Sequence, residues 1–101
     1  MDQYAANVKM KFKYLKKTCE ASPTQWEGVT TNNRPMYFRY RWGYCSVYLG
    51  PRQFNTVKEA LRHISEAVGG EAIYSERHGA ALDGYMEDDE VMCILWGLSD
   101  A

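Results

Sequence analysis

The stretch Met36-Tyr37-Phe38-Arg39-Tyr40-Arg41-Trp42-Gly43-Tyr44-Cys45-Ser46-Val47-Tyr48-Leu49 decides the fold. Trp42-Gly43 reads as a two-residue hairpin turn, with glycine supplying a positive φ. Antiparallel pairing about that turn sets Arg41 opposite Tyr44, Arg39 opposite Ser46 and Tyr37 opposite Tyr48. The intervening residues pair on the other face: Tyr40 with Cys45, Phe38 with Val47 and Met36 with Leu49. One face is then almost wholly apolar, and the other is built from Tyr, Arg and Ser. A slip of one residue would mix the two sets, so the pattern itself selects this register.

Upstream, residues 1–8 carry no periodicity and read as a lead-in. Lys9-Met10-Lys11-Phe12-Lys13-Tyr14 alternates strictly, which is the mark of a half-buried strand with three lysines on its solvent side. A lysine row also keeps an edge strand from pairing with other molecules. Thr18 to Gln25 reads as a loop. Trp26 to Thr31 reads as a second strand, with Gly28 marking a bulge. Asn32-Asn33 is a turn, and Pro35 starts the third strand, where a missing N–H costs least. Gly50-Pro51 ends the fourth.

At Thr56 the period changes. Thr56 and Glu59 fit a capping box, and Val57, Ala60, Leu61, Ile64 and Val68 form one apolar stripe, so a helix is expected over 56–68. Gly69-Gly70 stops it. Ala72-Ile73-Tyr74 is a short extended segment, and residues 78–84 form a loop. The acids Glu87 to Glu90 suit the positive end of a second helix near 87–97. The expectation is a single α+β domain over residues 1–101, an antiparallel meander of about four strands. Its one apolar face is covered by one or two helices.

A chain of 101 residues has room for one core and little for a deep catalytic cleft. Net charge is −1, but residues 1–52 sum to +6 and residues 53–101 to −7. Opposite halves can line neighbouring solvated surfaces, or the basic half can present a patch to an anionic partner. Cys19, Cys45 and Cys93 are odd in number and lack close spacing. With no signal peptide or apolar membrane run, they imply reduced thiols in a cytoplasmic protein, with Cys45 and Cys93 packed as small hydrophobes.

No phosphate loop, serine elbow or helix-turn-helix signature occurs. The acids between Asp83 and Glu90 lack the spacing of a calcium loop. Two histidines and three cysteines without short ligand spacing make no case for a metal or cofactor, and no Cys–His pair carries a nucleophile signature, so an enzyme is not expected. Recognition is. Tyr37, Arg39, Arg41, Tyr44 and Tyr48, with Trp42 at the tip, combine large contact area with modest entropy cost, and a protein partner is expected there. The alternative is single-stranded nucleic acid bound by the same face, with Lys9, Lys11 and Lys13 neutralising phosphates. Exposed Tyr and Trp suit a homodimer as well.

Overall fold

The computed structural model describes residues 10–19, 23–80 and 83–98. Five antiparallel strands follow one another as a meander: β1 (Phe12–Cys19), β2 (Thr24–Thr30), β3 (Pro35–Arg41), β4 (Tyr44–Leu49) and β5 (Glu71–Arg77). Two short helices, α1 (Val57–Arg62) and α2 (Ile64–Val68), separate β4 from β5 in the chain, and α3 (Asp88–Trp96) follows β5. The α+β class and the meander are those implied by the sequence pattern. The fifth strand grows from the short extended segment expected at 72–74.

The β3–β4 hairpin has the expected register at all six pairs, from Met36–Leu49 to Arg41–Tyr44. Both turn residues are left-handed, Trp42 at φ 59° and Gly43 at φ 73°. That combination defines the turn whose twist matches a right-twisted hairpin. Gly43 is also hemmed in: a Cβ there would collide with the carbonyls of Gly79 and Ala80.

Met36, Phe38, Tyr40, Cys45, Val47 and Leu49 are buried on one face, joined by Met10, Met86, Val91 and Leu95. Full burial of a side chain such as Phe38 is worth about 1.5–3 kcal/mol in transfer free energy. α3 covers this face with Val91 and Leu95. The chain reaches it by crossing the hairpin end of the sheet. There the Gly43 N–H donates to Asp83 O (2.7 Å), the Thr24 N–H to Gly84 O (2.7 Å), and the Met86 N–H to Thr24 Oγ1 (3.0 Å). The Met10 N–H donates to Leu98 O (2.9 Å) beyond the other end of α3.

α1 and α2 depart from the expected placement. They do not join α3 on the apolar face. Val29, Phe54 and Ala60 form a second cluster with Tyr14, Val57 and Leu61. Val29 pairs with Tyr14 and Pro35, and Pro35 alternates with Tyr37, so this cluster lies on the tyrosine–arginine face at the end remote from Trp42. The single helix expected over 56–68 also breaks at His63 (φ −112°, ψ 28°), whose ring stacks on Phe54 (centroids 4.7 Å apart, 19° between planes). The break turns the stripe: Ala67 is buried, whereas Val68 is 48% exposed. Thr56 Oγ1 accepts from the Glu59 N–H as expected, but the Glu59 carboxylate reaches the Asn55 N–H, one residue earlier than in a capping box.

β1 also differs from strict alternation. Phe12 pairs with Thr30 and Tyr14 with Val29, leaving Lys13 as an extra residue. This bulge sends Phe12 to the main core and Tyr14 to the second cluster. A second shift at Thr18 lets the strand run to Cys19, through residues expected as loop. Gly28, expected to bulge, pairs in register with Leu15 and Met36. Glycine is required there by close approach, since a Cβ would lie 2.9 Å from Tyr14 O and 3.0 Å from Leu15 Cδ1. Among the described residues, no helix is long and apolar enough to cross a membrane.

Candidate functional site

Register places the tyrosine–arginine face in four cross-strand rows. The first, Tyr14–Val29–Pro35, contributes Tyr14 and Val29 to the cluster with Phe54 and α1. The second is Lys16–Glu27–Tyr37–Tyr48–Ala72, the third Cys19–Gln25–Arg39–Ser46–Ser75, and the last Arg41–Tyr44–Arg77 beside the turn. Tyr37, Arg39, Arg41, Tyr44 and Tyr48 therefore share one surface with Trp42 at its tip. Tyr37, Arg39 and Tyr48 are half-buried, while Tyr44 is 42% and Trp42 55% exposed.

The aromatic rings are held rather than loose. Tyr37 stacks with Tyr48 at 6.1 Å and 24°. Burial pushes the Tyr37 phenol above its ordinary pKa, against the opposing pull of Arg39. The Arg41 guanidinium lies 5.0 Å from the centre of the Trp42 ring, and that of Arg77 lies 5.7 Å from Tyr44. Arg77 Nη1 also donates to Gly79 O (3.2 Å) and Trp42 O (3.4 Å), and Gly43 O accepts from the His78 N–H (2.8 Å) and the Gly79 N–H (3.2 Å). The turn is thus stapled to the segment after β5. A tryptophan in left-handed backbone costs about 1–2 kcal/mol, and Trp42, with more than half its surface in solvent, recovers little of that by burial.

Charge divides across the sheet. Lys17, on the apolar side, pairs with Asp88 (2.7 Å), and Arg52 grips Glu66 with two bonds (3.0 and 2.8 Å). Among the described residues, Arg39, Arg41 and Arg77 have no carboxylate at salt-bridge distance. Glu27 is the one acid in the rows, and it stands opposite Lys16. The acidic first turn of α3 (Asp88, Asp89, Glu90) belongs to the helix on the opposite side of the sheet.

The lysine row does not join this surface. Lys13 sits at the bulge and donates to Asn33 Oδ1 (3.0 Å), and Lys11 O accepts from the Thr31 N–H (2.9 Å). Both lie by the β2–β3 turn, at the end opposite Trp42, about 20 Å away along a seven-residue strand. Lys9 lies outside the described residues. The cations that do share the rows, Lys16 and Arg77, escaped the sequence reading. The bulge at Lys13 concealed the phase of Lys16, and β5 was legible only as three residues.

Three other places hold polar chemistry. Cys45 is fully buried, and its thiol is pushed up to about 12 by desolvation and then by Glu90, so it packs as a small hydrophobe. Cys93, expected to be packed, is exposed on α3, and Cys19 is half-buried. Tyr74 Oη lies 2.6 Å from His78 Nε2, whose Nδ1 is 3.7 Å from Glu90 Oε2, tying β5 to α3. Burial raises the Tyr74 pKa, with Cys45 adding to it, so the phenol keeps its proton and makes a poor nucleophile. A cleft of about 400 Å³ opens between α2 and the β4–β5 edge, but its charged groups are engaged: Arg34 Nε on Gly50 O (3.0 Å) and Glu66 on Arg52. No group of three potential metal ligands occurs among the described residues.

No protein-family model matches the chain, and the comparisons with curated proteins and with solved structures found no match.

Proposed function

We propose that this chain is a small non-enzymatic binding protein that docks on a protein partner through its tyrosine–arginine face. The observation that carries this reading is the set of arginines without carboxylates, Arg39, Arg41 and Arg77, beside the exposed rings of Trp42 and Tyr44. Tyr, Trp and Arg are the residues that dominate interface energetics. Rings fixed by stacking and by a stapled turn lose little entropy on binding. The chain would act by occupying a partner's surface, with the aromatics as anchors and the arginines setting orientation. It would do so in the cytoplasm, where three thiols stay reduced.

Single-stranded nucleic acid is the competing reading, favoured by a basic, aromatic sheet face. Against it, both exposed rings already carry a guanidinium, Tyr37 and Tyr48 stack on each other, and Lys11 and Lys13 lie at the far end. Bases need open ring faces to stack. Amide NMR titration with short RNA and DNA pools at two salt concentrations separates the readings. Shifts confined to residues 37–48 that fade with salt would transfer the proposal to nucleic acid. On the protein side, affinity capture with wild type should recover a partner that Trp42→Ala and Tyr48→Ala lose and Asp89→Ala keeps. Retention by both face variants would remove the face from the proposal.

A further inference from the structure

The unmatched charge of the face is not spread over it. In the second row Lys16 stands opposite Glu27, so that row is locally balanced. The excess begins at Arg39 and culminates in the last row, where Arg41 and Arg77 flank Tyr44. Two strand spacings separate the backbones of those arginines, about 10 Å. Arg77 has one guanidinium nitrogen occupied by the carbonyls of Trp42 and Gly79, which orients its fork; its remaining N–H groups have no hydrogen-bond acceptor among the described residues. Arg41, exposed, lies against the indole of Trp42. Each guanidinium is thus braced on an aromatic ring and still has free donors for a planar oxyanion. That is the arrangement suited to bidentate recognition of carboxylates.

Resting on the docking reading above, we infer that the partner presents an acidic polypeptide segment across the hairpin end of the face. Its carboxylates pair with Arg41 and Arg77 on either side of Tyr44. Discrete carboxylates fit two braced forks carried on strands whose backbones lie about 10 Å apart. A continuous phosphate backbone would have to cross the Glu27 row to use the rest of the face. The excess of charge disfavours basic partners on this side of the sheet, while Glu90 of the α3 first turn is engaged with His78 (3.7 Å) on the other side.

The test is selection of a random dodecapeptide library on the immobilised full chain, followed by affinity measurement on the enriched peptides. Acid-rich peptides are expected. Their affinity should drop about tenfold for Arg41→Ala and for Arg77→Gln, and should weaken with salt. Amide spectra of both variants check that the turn is intact; Arg41→Ala touches none of its hydrogen bonds. Enriched peptides without acids that depend on Trp42 or Tyr48, and not on the arginines, would overturn this inference and leave the docking reading standing. Peptides indifferent to every face variant would overturn both. Displacement of the acidic peptides by an equal concentration of oligothymidine, or no shift of residues 39–44 and 77 with polyglutamate, would also overturn it.

Discussion

Phe38 and Arg39 are neighbours in sequence and lie on opposite sides of one strand. Phe38 is fully buried between Trp26 and Val47 and beneath the layer that contains α3, whereas Arg39 has no carboxylate partner among the described residues and looks out between Gln25 and Ser46. The alternation of a strand therefore assigns two jobs to one segment: from Met36 onward its even-numbered residues hold the fold, and its odd-numbered residues Tyr37, Arg39 and Arg41 are left for contact. The same division separates the helices. α3 packs on the apolar face through Val91 and Leu95, while on the other face α1 packs at the end remote from Trp42, α2 lies against β3 and β4, and the last row beside the turn is the most exposed.

Four experiments break or sharpen that division, in falling order of effect. Phe38→Ala should cost about 3–5 kcal/mol in equilibrium urea unfolding, the usual loss for a fully buried aromatic; a cost near 1 would mean that the apolar face is not the core. Next is the alkaline limit. The fold raises the Cys45 thiol from 9.0 to about 12, so it favours the protonated form. Stability from this group is complete below its unfolded pKa and is lost as pH rises toward the folded one. Thermal midpoints measured up to about pH 11 should therefore fall less steeply in Cys45→Ala than in wild type. Gly43→Ala, which forces a side chain into left-handed backbone against two carbonyls, should cost about 2 kcal/mol in the same urea assay. Arg39→Ala should cost less than about 0.5 kcal/mol while weakening partner capture. Equal losses for Phe38→Ala and Arg39→Ala would invalidate the division itself.

The central hairpin was legible in full because two independent signals coincide there: a turn that demands Gly43 and an alternation that only one register preserves. Of the site, the six residues from Tyr37 to Tyr48 could be placed on one surface for the same reason. What escaped was set by backbone irregularity. A bulge at Lys13 is invisible to alternation, since Lys13 and Lys16 are each plausible solvent residues in either phase, and so the expected lysine row dissolved. The break at His63 is decided by its stacking on Phe54, a contact nine residues back in sequence that no helical period encodes. The placement of α1 depends on Val29, Tyr14 and Pro35 meeting on one face, which requires the registers of two strand pairs at once.

The crossing at the hairpin end has a consequence for how the chain is made. Each strand pairs with the one before it, so the meander can assemble in order as the polypeptide leaves the ribosome. The cover for Met36, Phe38 and Val47 comes from Met86, Val91 and Leu95, and the β3–β4 turn receives its backbone staples from His78, Gly79 and Asp83. At typical synthesis rates the stretch from the end of β4 to the end of α3 takes on the order of 2–10 s. Throughout that interval a nascent sheet carries its greasy side bare, the condition under which unfinished chains are most prone to stick to one another.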